Sequence, residues 1–207
     1  MNDIIDSISW LGHAAFRIDG DITVYIDPFN LTGGPAADLI LVTHTHYDHY
    51  SPEDIKKIIG PDTTLVITED ADVALDIDVV RAAPGSDLNV KGVRVSAVAS
   101  YNTAKAFHPK GNRWVGYVLT IGGKTIYHTG DSDFIPEMEG LKPDVVLVPV
   151  GGTYTMNAAE AAKAVKAMSA ASAIPMHWGE IVGERSDAEE FARLVGDAAR
   201  VVIKEKQ

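Results

Sequence analysis

Val42 to Ser51 reads VTHTHYDHYS, which sets His44, His46, Asp48 and His49 within six residues of a chain that has seven histidines in all. Histidine is a mediocre helix and strand former, and crowding several titratable rings is costly unless something holds their lone pairs. The stretch follows the apolar run Asp38-Leu-Ile-Leu-Val42, which reads as a buried strand. Side chains two apart at a strand end share a face, so His44 and His46 point the same way. Asp48 and His49 follow in the loop before Ser51-Pro52-Glu53-Asp54, a helix start with a cap, a proline at the first position and acids in the first turn. Neutral imidazole suits zinc and similar borderline metals, and carboxylate adds charge and hardness. One tetrahedral ion could not easily take all four donors from so short a loop. Two ions sharing it could, each completing its shell elsewhere. The plain alternative is a solvated loop that happens to be rich in histidine.

The bulk properties bound what such a site could serve. The 207 residues suit a single domain spanning 1–207, and the composition, 46% hydrophobic and 23% charged, is ordinary for a globular protein. No apolar run approaches the roughly 20 residues of a membrane span. The beginning, MNDIIDSISWLGHAAF, carries no basic segment before its apolar stretch and so does not read as a signal peptide. Cysteine is absent, which excludes disulfides, thiolate nucleophiles and cysteine zinc sites and fits a cytoplasmic home. A net charge of −11 repels a long phosphate backbone except where a basic patch or a metal intervenes; a solvated acidic surface is the simpler reading. The expected partner is a small-molecule substrate, with no nucleic acid and no membrane span.

Strands alternate with helices. β-rich runs are expected at Ile4 to Leu11, Ala14 to Ile18, Ile22 to Ile26, Leu39 to Val42, Thr64 to Ile67, Val93 to Ala99, Val115 to Ile121, Thr125 to His128, Val145 to Val148 and Ser172 to Met176. A helix opens at Ser51 and closes at Gly60; Asn157-Ala-Ala-Glu160 and Ser186-Asp-Ala-Glu189 read as capping boxes opening two more, to about Ser169 and Ala199. The order repeats. Asp27, Asp38 and Ser51 find counterparts in Asp131, Asp144 and Asn157, and the offset between halves drifts only from 104 to 109 by the strands at Thr64 and Ala173. Either two strand–helix halves were duplicated or common βα grammar agrees by chance. Two sheets face to face with helices outside is the architecture this suggests. Sites in such sheets gather at the carboxyl ends of strands, where His44 and His177 both fall.

Further donors must come from later segments. Asp131 lies just past a strand in Tyr127-His-Thr-Gly-Asp131, His177 ends another in Ile174-Pro-Met-His-Trp-Gly179, and His108 lies in the loop Ala106-Phe-His-Pro-Lys-Gly111. For isolated histidines a hydrogen-bonded core or surface role competes. Taken together, Asp27 of Tyr25-Ile-Asp-Pro28, His44-x-His46-x-Asp48-His49, His108, Gly130-Asp131 and His177 resemble, in order, the metallo-β-lactamase superfamily. Trp10-Leu-Gly-His13, His128-Thr-Gly-Asp-Ser132, Gly152-Thr-Tyr154 and His177-Trp-Gly179 are similar to its compact branch of metal-dependent hydrolases, which includes L-ascorbate-6-phosphate lactonase and N-acylphosphatidylethanolamine phospholipase D. The resemblance implies a four-layer αββα sandwich with two mixed sheets, and a dinuclear site. His44, His46 and His108 would hold one metal, and Asp48, His49 and His177 the other, with Asp131 bridging. The His-x-x-Gly-His context of better-known members is absent around His108. Di-iron electron-transfer relatives replace the histidine of the second pair with carboxylate, so the resemblance, with His46 and His49 in place, implies hydrolysis over redox.

The expected activity is cleavage of an ester-type bond, a lactone or phosphodiester, in a small anionic substrate. Two divalent ions, zinc before manganese, iron or nickel, would ionise a water and take up oxyanion charge. Asp48 and Asp131 belong to that chemistry. His13 orients substrate or protonates a leaving group, or it is a core histidine. Asp27 either turns a ligand imidazole or caps a turn before Pro28. Thr153 and Tyr154 either touch an anionic substrate or form an ordinary βα turn, and Trp178 packs. A non-catalytic metal sensor and a nucleic-acid-processing member of the same superfamily are the other classes considered.

Overall fold

A computed structural model describes residues 3–207; Met1 and Asn2, which open the stretch read against a signal peptide, lie outside the described residues. Six strands form the first sheet in chain order: β1 (Ile8–Gly12), β2 (Ala15–Asp19), β3 (Thr23–Ile26), β4 (Ala37–Leu41), β5 (Ile59–Thr68) and β6 (Asp78–Ala82). The second sheet holds β7 (Asp87–Val90), β8 (Val93–Ala99), β9 (Val115–Ile121), β10 (Lys124–His128), β11 (Val145–Pro149), β12 (Ser172–Met176) and β13 (Arg200–Val201), again in unbroken sequence order across the sheet. Strands joined by hairpins pair antiparallel, and β3 through β6 and β10 through β13 pair parallel.

Strand alternation sorts the core. Leu39 and Leu41 of β4 join Phe16 and Ile26 against Tyr117, Leu119 and Leu147 of the other sheet. Ile40, between them, turns outward with Tyr25 and Leu65 to meet Ile55 and Ile58 beside α1 (Pro52–Lys56). Strands buried on both faces therefore read as continuous apolar runs. On the far side α2 (Ala158–Met168) buries Ala161, Val165 and Met168, and α3 (Arg185–Val195) buries Phe191 and Val195; the two pack on each other and on β11 and β12. This is the expected αββα sandwich of two mixed sheets with outer helices.

Several boundaries differ. Ile4–Ser7 is a 3-10 turn, with Asp3 accepting from the Ile5 N–H at 3.2 Å, so the first strand starts at Ile8. α1 stops at Lys56, a single turn, and Gly60 already belongs to β5, its N–H held by Thr63 Oγ1. α3 begins at Arg185: Asp187 accepts from the Glu184 N–H at 2.8 Å, so the cap lies two residues before Ser186. β6, β7 and β13 were not anticipated. All three are sheet edges, short and only partly buried, and an edge lacks the buried apolar run that marks a central strand. The connections after β1, β3, β4, β8, β10 and β12 all open on one edge of the sandwich, and this edge carries the site.

Candidate metal centre

Asp27 follows β3 with left-handed backbone, φ 47°, and is fully buried. Its Oδ1 accepts the Thr43 N–H at 2.8 Å, and its Oδ2 accepts from the Thr43 hydroxyl and from His49 Nδ1, each at 2.7 Å. These bonds settle two tautomers. Because Thr43 Oγ1 gives its proton to Asp27, it receives one from His44 Nδ1 at 2.9 Å, which leaves His44 Nε2 with a lone pair that faces His46 Nδ1 at 3.0 Å. Asp27 likewise occupies His49 Nδ1 and turns His49 Nε2 inward, 3.3 Å from Asp131 Oδ1. Asp27 thus does for a buried imidazole what the sequence suggested, and it also ties down the first residue of the histidine loop.

Two groups of donors converge. Ligand atoms of His44, His46, His108 and Asp131 lie within 4.8 Å of one another, and so do those of His13, Asp48, His49 and His177. Asp131 reaches both groups, since its Oδ2 lies 3.1 Å from His177 Nε2. A third set of donors, Asp27, His44 and His49, shares that spacing, but both Asp27 oxygens are already engaged by hydrogen bonds. Eight buried side-chain polar atoms lack a hydrogen-bond partner among the described residues, and six of them are here: His13 Nδ1, His49 Nε2, His108 Nδ1, Asp131 Oδ1 and both nitrogens of His177. Each such orphan costs about 1–3 kcal/mol, so their concentration at one spot calls for an occupant. Imidazoles and carboxylates are the donor set of a zinc-type cation, and the residues fit one.

The electrostatics agree with that occupant. Burial keeps His44 well below the ordinary histidine range and pushes His108 down to about 3, so both are neutral donors. His46 and His13 are lowered by burial as well. Burial resists ionisation of Asp131, but His177 and His49 outweigh it and hold the carboxyl well below the usual range. Burial likewise opposes a charged His49, and Asp131 and Asp27 prevail, raising it well above the ordinary value. Positive charge is wanted here.

A cavity of about 240 Å³ opens over the donors, lined by His46, Tyr47, Asp48, Phe107, His108, Asp131, Tyr154, His177 and Ile181. All seven residues expected to bind metal come together in these groups. Of the three expected to do chemistry, Asp48 and Asp131 line the cavity. His13 does not: it lies fully buried behind Asp48, its Nε2 3.1 Å from Asp48 Oδ2 and its ring 3.9 Å from that of His177. His128 is a core histidine, donating from Nε2 to the Ala14 carbonyl and accepting from the Gly130 N–H. Tyr154 lines the cavity and Thr153 does not. Trp178 packs, stacked on Trp10 at 4.6 Å.

Sequence reading missed the supports. Trp114 lies within 5.0 Å of the His44, His46 and His108 rings and donates to Asp70. Asn102 accepts the His108 N–H and donates to the carbonyls of Asp131 and Tyr154. Neither has a local signal, because each is defined by partners distant in the chain. His13 and His177 also adopt positive φ, 47° and 59°, a strained conformation for non-glycine residues that recurs at functional sites. Gly151 is required here, because a Cβ on it would lie 2.2 Å from the His177 carbonyl oxygen.

Residues 7–177 match the β-lactamase superfamily domain. A UPF0173 metal-dependent hydrolase of Pyrococcus abyssi is 36% identical over 95% of both chains, and one of Thermoplasma acidophilum is 37% identical over 95% of this chain and 93% of that one. The chain belongs to the metallo-β-lactamase superfamily. A crystal structure described as a metal-dependent hydrolase, from Parabacteroides distasonis, superposes with a TM-score of 0.86 at 31% identity, covering 97% of this chain and 93% of the other. The protein is a metal-dependent hydrolase with the metallo-β-lactamase sandwich. Among the described residues no helix is long and apolar enough to cross a membrane.

Proposed function

We propose that this hydrolase holds two divalent cations, zinc ahead of manganese, iron or nickel, and cleaves an ester-type bond in a small substrate. His44, His46 and His108 would hold one cation; Asp48, His49 and His177, with His13 beside them, would hold the other; Asp131 would lie between. The observation that carries this reading is the cluster of six unpartnered buried donors. Cations held there supply Lewis acidity at the electrophile and a water of lowered pKa.

The chain's own residues do the rest. Asp27 and Thr43 lock His49 and His44 in the tautomers that direct Nε2 inward. Asp48 faces the cavity as an ionised carboxylate; burial disfavours its charge, and the His13 hydrogen bond and His49 restore it. It is the residue to take a proton from the attacking water and return it to the leaving group. His13, donating to Asp48 from behind, positions that carboxylate and does not touch the substrate.

The test is metal quantitation of freshly purified protein, followed by a screen on p-nitrophenyl esters, lactones and phosphodiesters. About two equivalents of transition metal with turnover that a chelator abolishes is the expected result. Less than about half an equivalent, with none taken up on titration, sinks the reading.

A further inference from the structure

The mouth of the cavity is unusual for so acidic a protein. Six large hydrophobic side chains are exposed among the described residues, and four of them, Tyr47, Phe107, Tyr154 and Ile181, line this one cavity. Tyr47 is 68% exposed and Phe107 51%. Each is delivered by a segment that also brings, or is tied to, a candidate ligand. Tyr47 sits between His46 and Asp48, Phe107 precedes His108, and Ile181 follows His177 by four residues. Tyr154 packs edge-on against Phe107 at 4.8 Å, and Asn102 binds its carbonyl to the Asp131 segment. The position of the apolar rim is therefore coupled to that of the donors.

No lysine or arginine lines the cavity; its only formal charges are Asp48 and Asp131. Lys105, on the Phe107 loop, is already bound to Asp133 at 2.5 Å and lies 3.9 Å from Glu160. Apart from the cations proposed at the donors, a phosphate or carboxylate on the substrate would find no side-chain counter-charge in the lining. An uncharged alkyl or aryl group next to the electrophilic carbon would cover the rim without setting a charge against it.

We propose that the substrates are neutral carboxylic esters or lactones whose hydrophobic tail lies in the Tyr47–Phe107–Tyr154–Ile181 mouth while the carbonyl faces Asp131. This rests on the hydrolase reading above and narrows it. In the step, the water oxygen bonds to the acyl carbon, the acyl C–O bond breaks, and the water's proton leaves with the alcohol oxygen, giving acid and alcohol with no other reactant.

Two measurements test it. Metal-loaded enzyme is assayed on p-nitrophenyl acetate, butyrate, hexanoate and octanoate and on bis(p-nitrophenyl) phosphate. kcat/KM is expected to rise with chain length, by up to about fourfold per buried methylene, before levelling off, and the phosphodiester is expected to turn over more slowly than the hexanoate. Phe107→Ala and Tyr154→Ala should flatten that rise. Metal-free protein is then titrated calorimetrically with 2-octanone and 2-butanone, uncharged carbonyl compounds that cannot be hydrolysed. The longer ketone should bind at least tenfold more tightly, with a negative heat-capacity change. A flat chain-length series, a preference for the phosphodiester, or rim variants that change oligomeric mass instead of chain-length dependence would overturn the proposal. Turnover of none of these compounds would count against hydrolysis itself, and the ketone titration would still decide the apolar mouth.

Discussion

The two sheets of the molecule are built on one plan. From β1 to β6 and from β8 to β13 the pairing runs antiparallel, antiparallel, parallel, parallel, parallel. Matching connections carry matching chemistry: His13 follows β1 and His108 follows β8, while Asp27 follows β3 and Asp131 follows β10. The halves differ in how donors are spent. The first packs four into the loop after β4, whereas the equivalent loop after β11, Val150 to Met156, has none, and the second half contributes single donors from three connections. The aspartates differ in the same way. Asp27 faces inward with both oxygens hydrogen-bonded, and Asp131 lines the cavity with Oδ1 unpartnered. Equivalent positions in a fold therefore diverge through whatever side chains meet them: Thr43 and His49 take up both oxygens of Asp27 in hydrogen bonds, whereas Asp131 meets only the imidazoles of His49 and His177, themselves candidate ligands.

The sharpest way to break this comparison is to make the same substitution in both halves. Asp131→Asn should lower kcat/KM by at least about 10³-fold with the fold intact by circular dichroism, because the carboxylate between the donor groups is lost. Asp27→Asn should cost about 10–100-fold in metal affinity or activity, the usual effect of removing a ligand's supporting partner. Equal losses would mean that the two aspartates do the same job.

The pH dependence of metal uptake probes the link between them. In the metal-free protein Asp131 and Asp27 overcome burial and hold His49 above its ordinary value of 6.5, so near neutrality it keeps a proton that a cation must displace. A raised pKa makes the proton a stronger competitor at low pH. Affinity should therefore climb as pH rises from about 6.5, by up to about tenfold per unit for each proton released. Competition titrations at several pH values would read this, and a flat profile would show that His49 is not displaced.

The smallest effects belong to the helix caps. Asn157→Ala removes a cap reciprocated by Glu160 over an eleven-residue helix, and should lower unfolding free energy by about 1 kcal/mol. Ser51→Ala, capping a single turn through a 3.3 Å bond, should cost less. Chemical denaturation of both variants would rank them.

Much of this was legible in one dimension because it is local. The alternating and continuous apolar runs marked the interior strands, with β8, β9 and β12 matching to the residue, since a strand buried on one face alternates, as β8 does, and one buried on both is apolar throughout. The His44–His49 loop announced a metal because its donors are adjacent. What the sequence hid is what depends on encounters. The exposed edges β6, β7 and β13 need no apolar signature. Asn102 and Trp114 matter through residues tens of positions away. His13 lies behind Asp48 because the β1–β2 turn is pressed against β12, where its carbonyl accepts the His177 N–H at 2.9 Å.

Each donor group draws on both halves of the chain: His44 and His46 stand opposite His108 and Asp131, and His13, Asp48 and His49 opposite His177. An ion bound in either group would rivet the seam between the two sheets, and prying them apart would tear its coordination shell. Metal supply would then govern how long a folded copy survives as well as how fast it turns over, with starved molecules the first to open and be degraded.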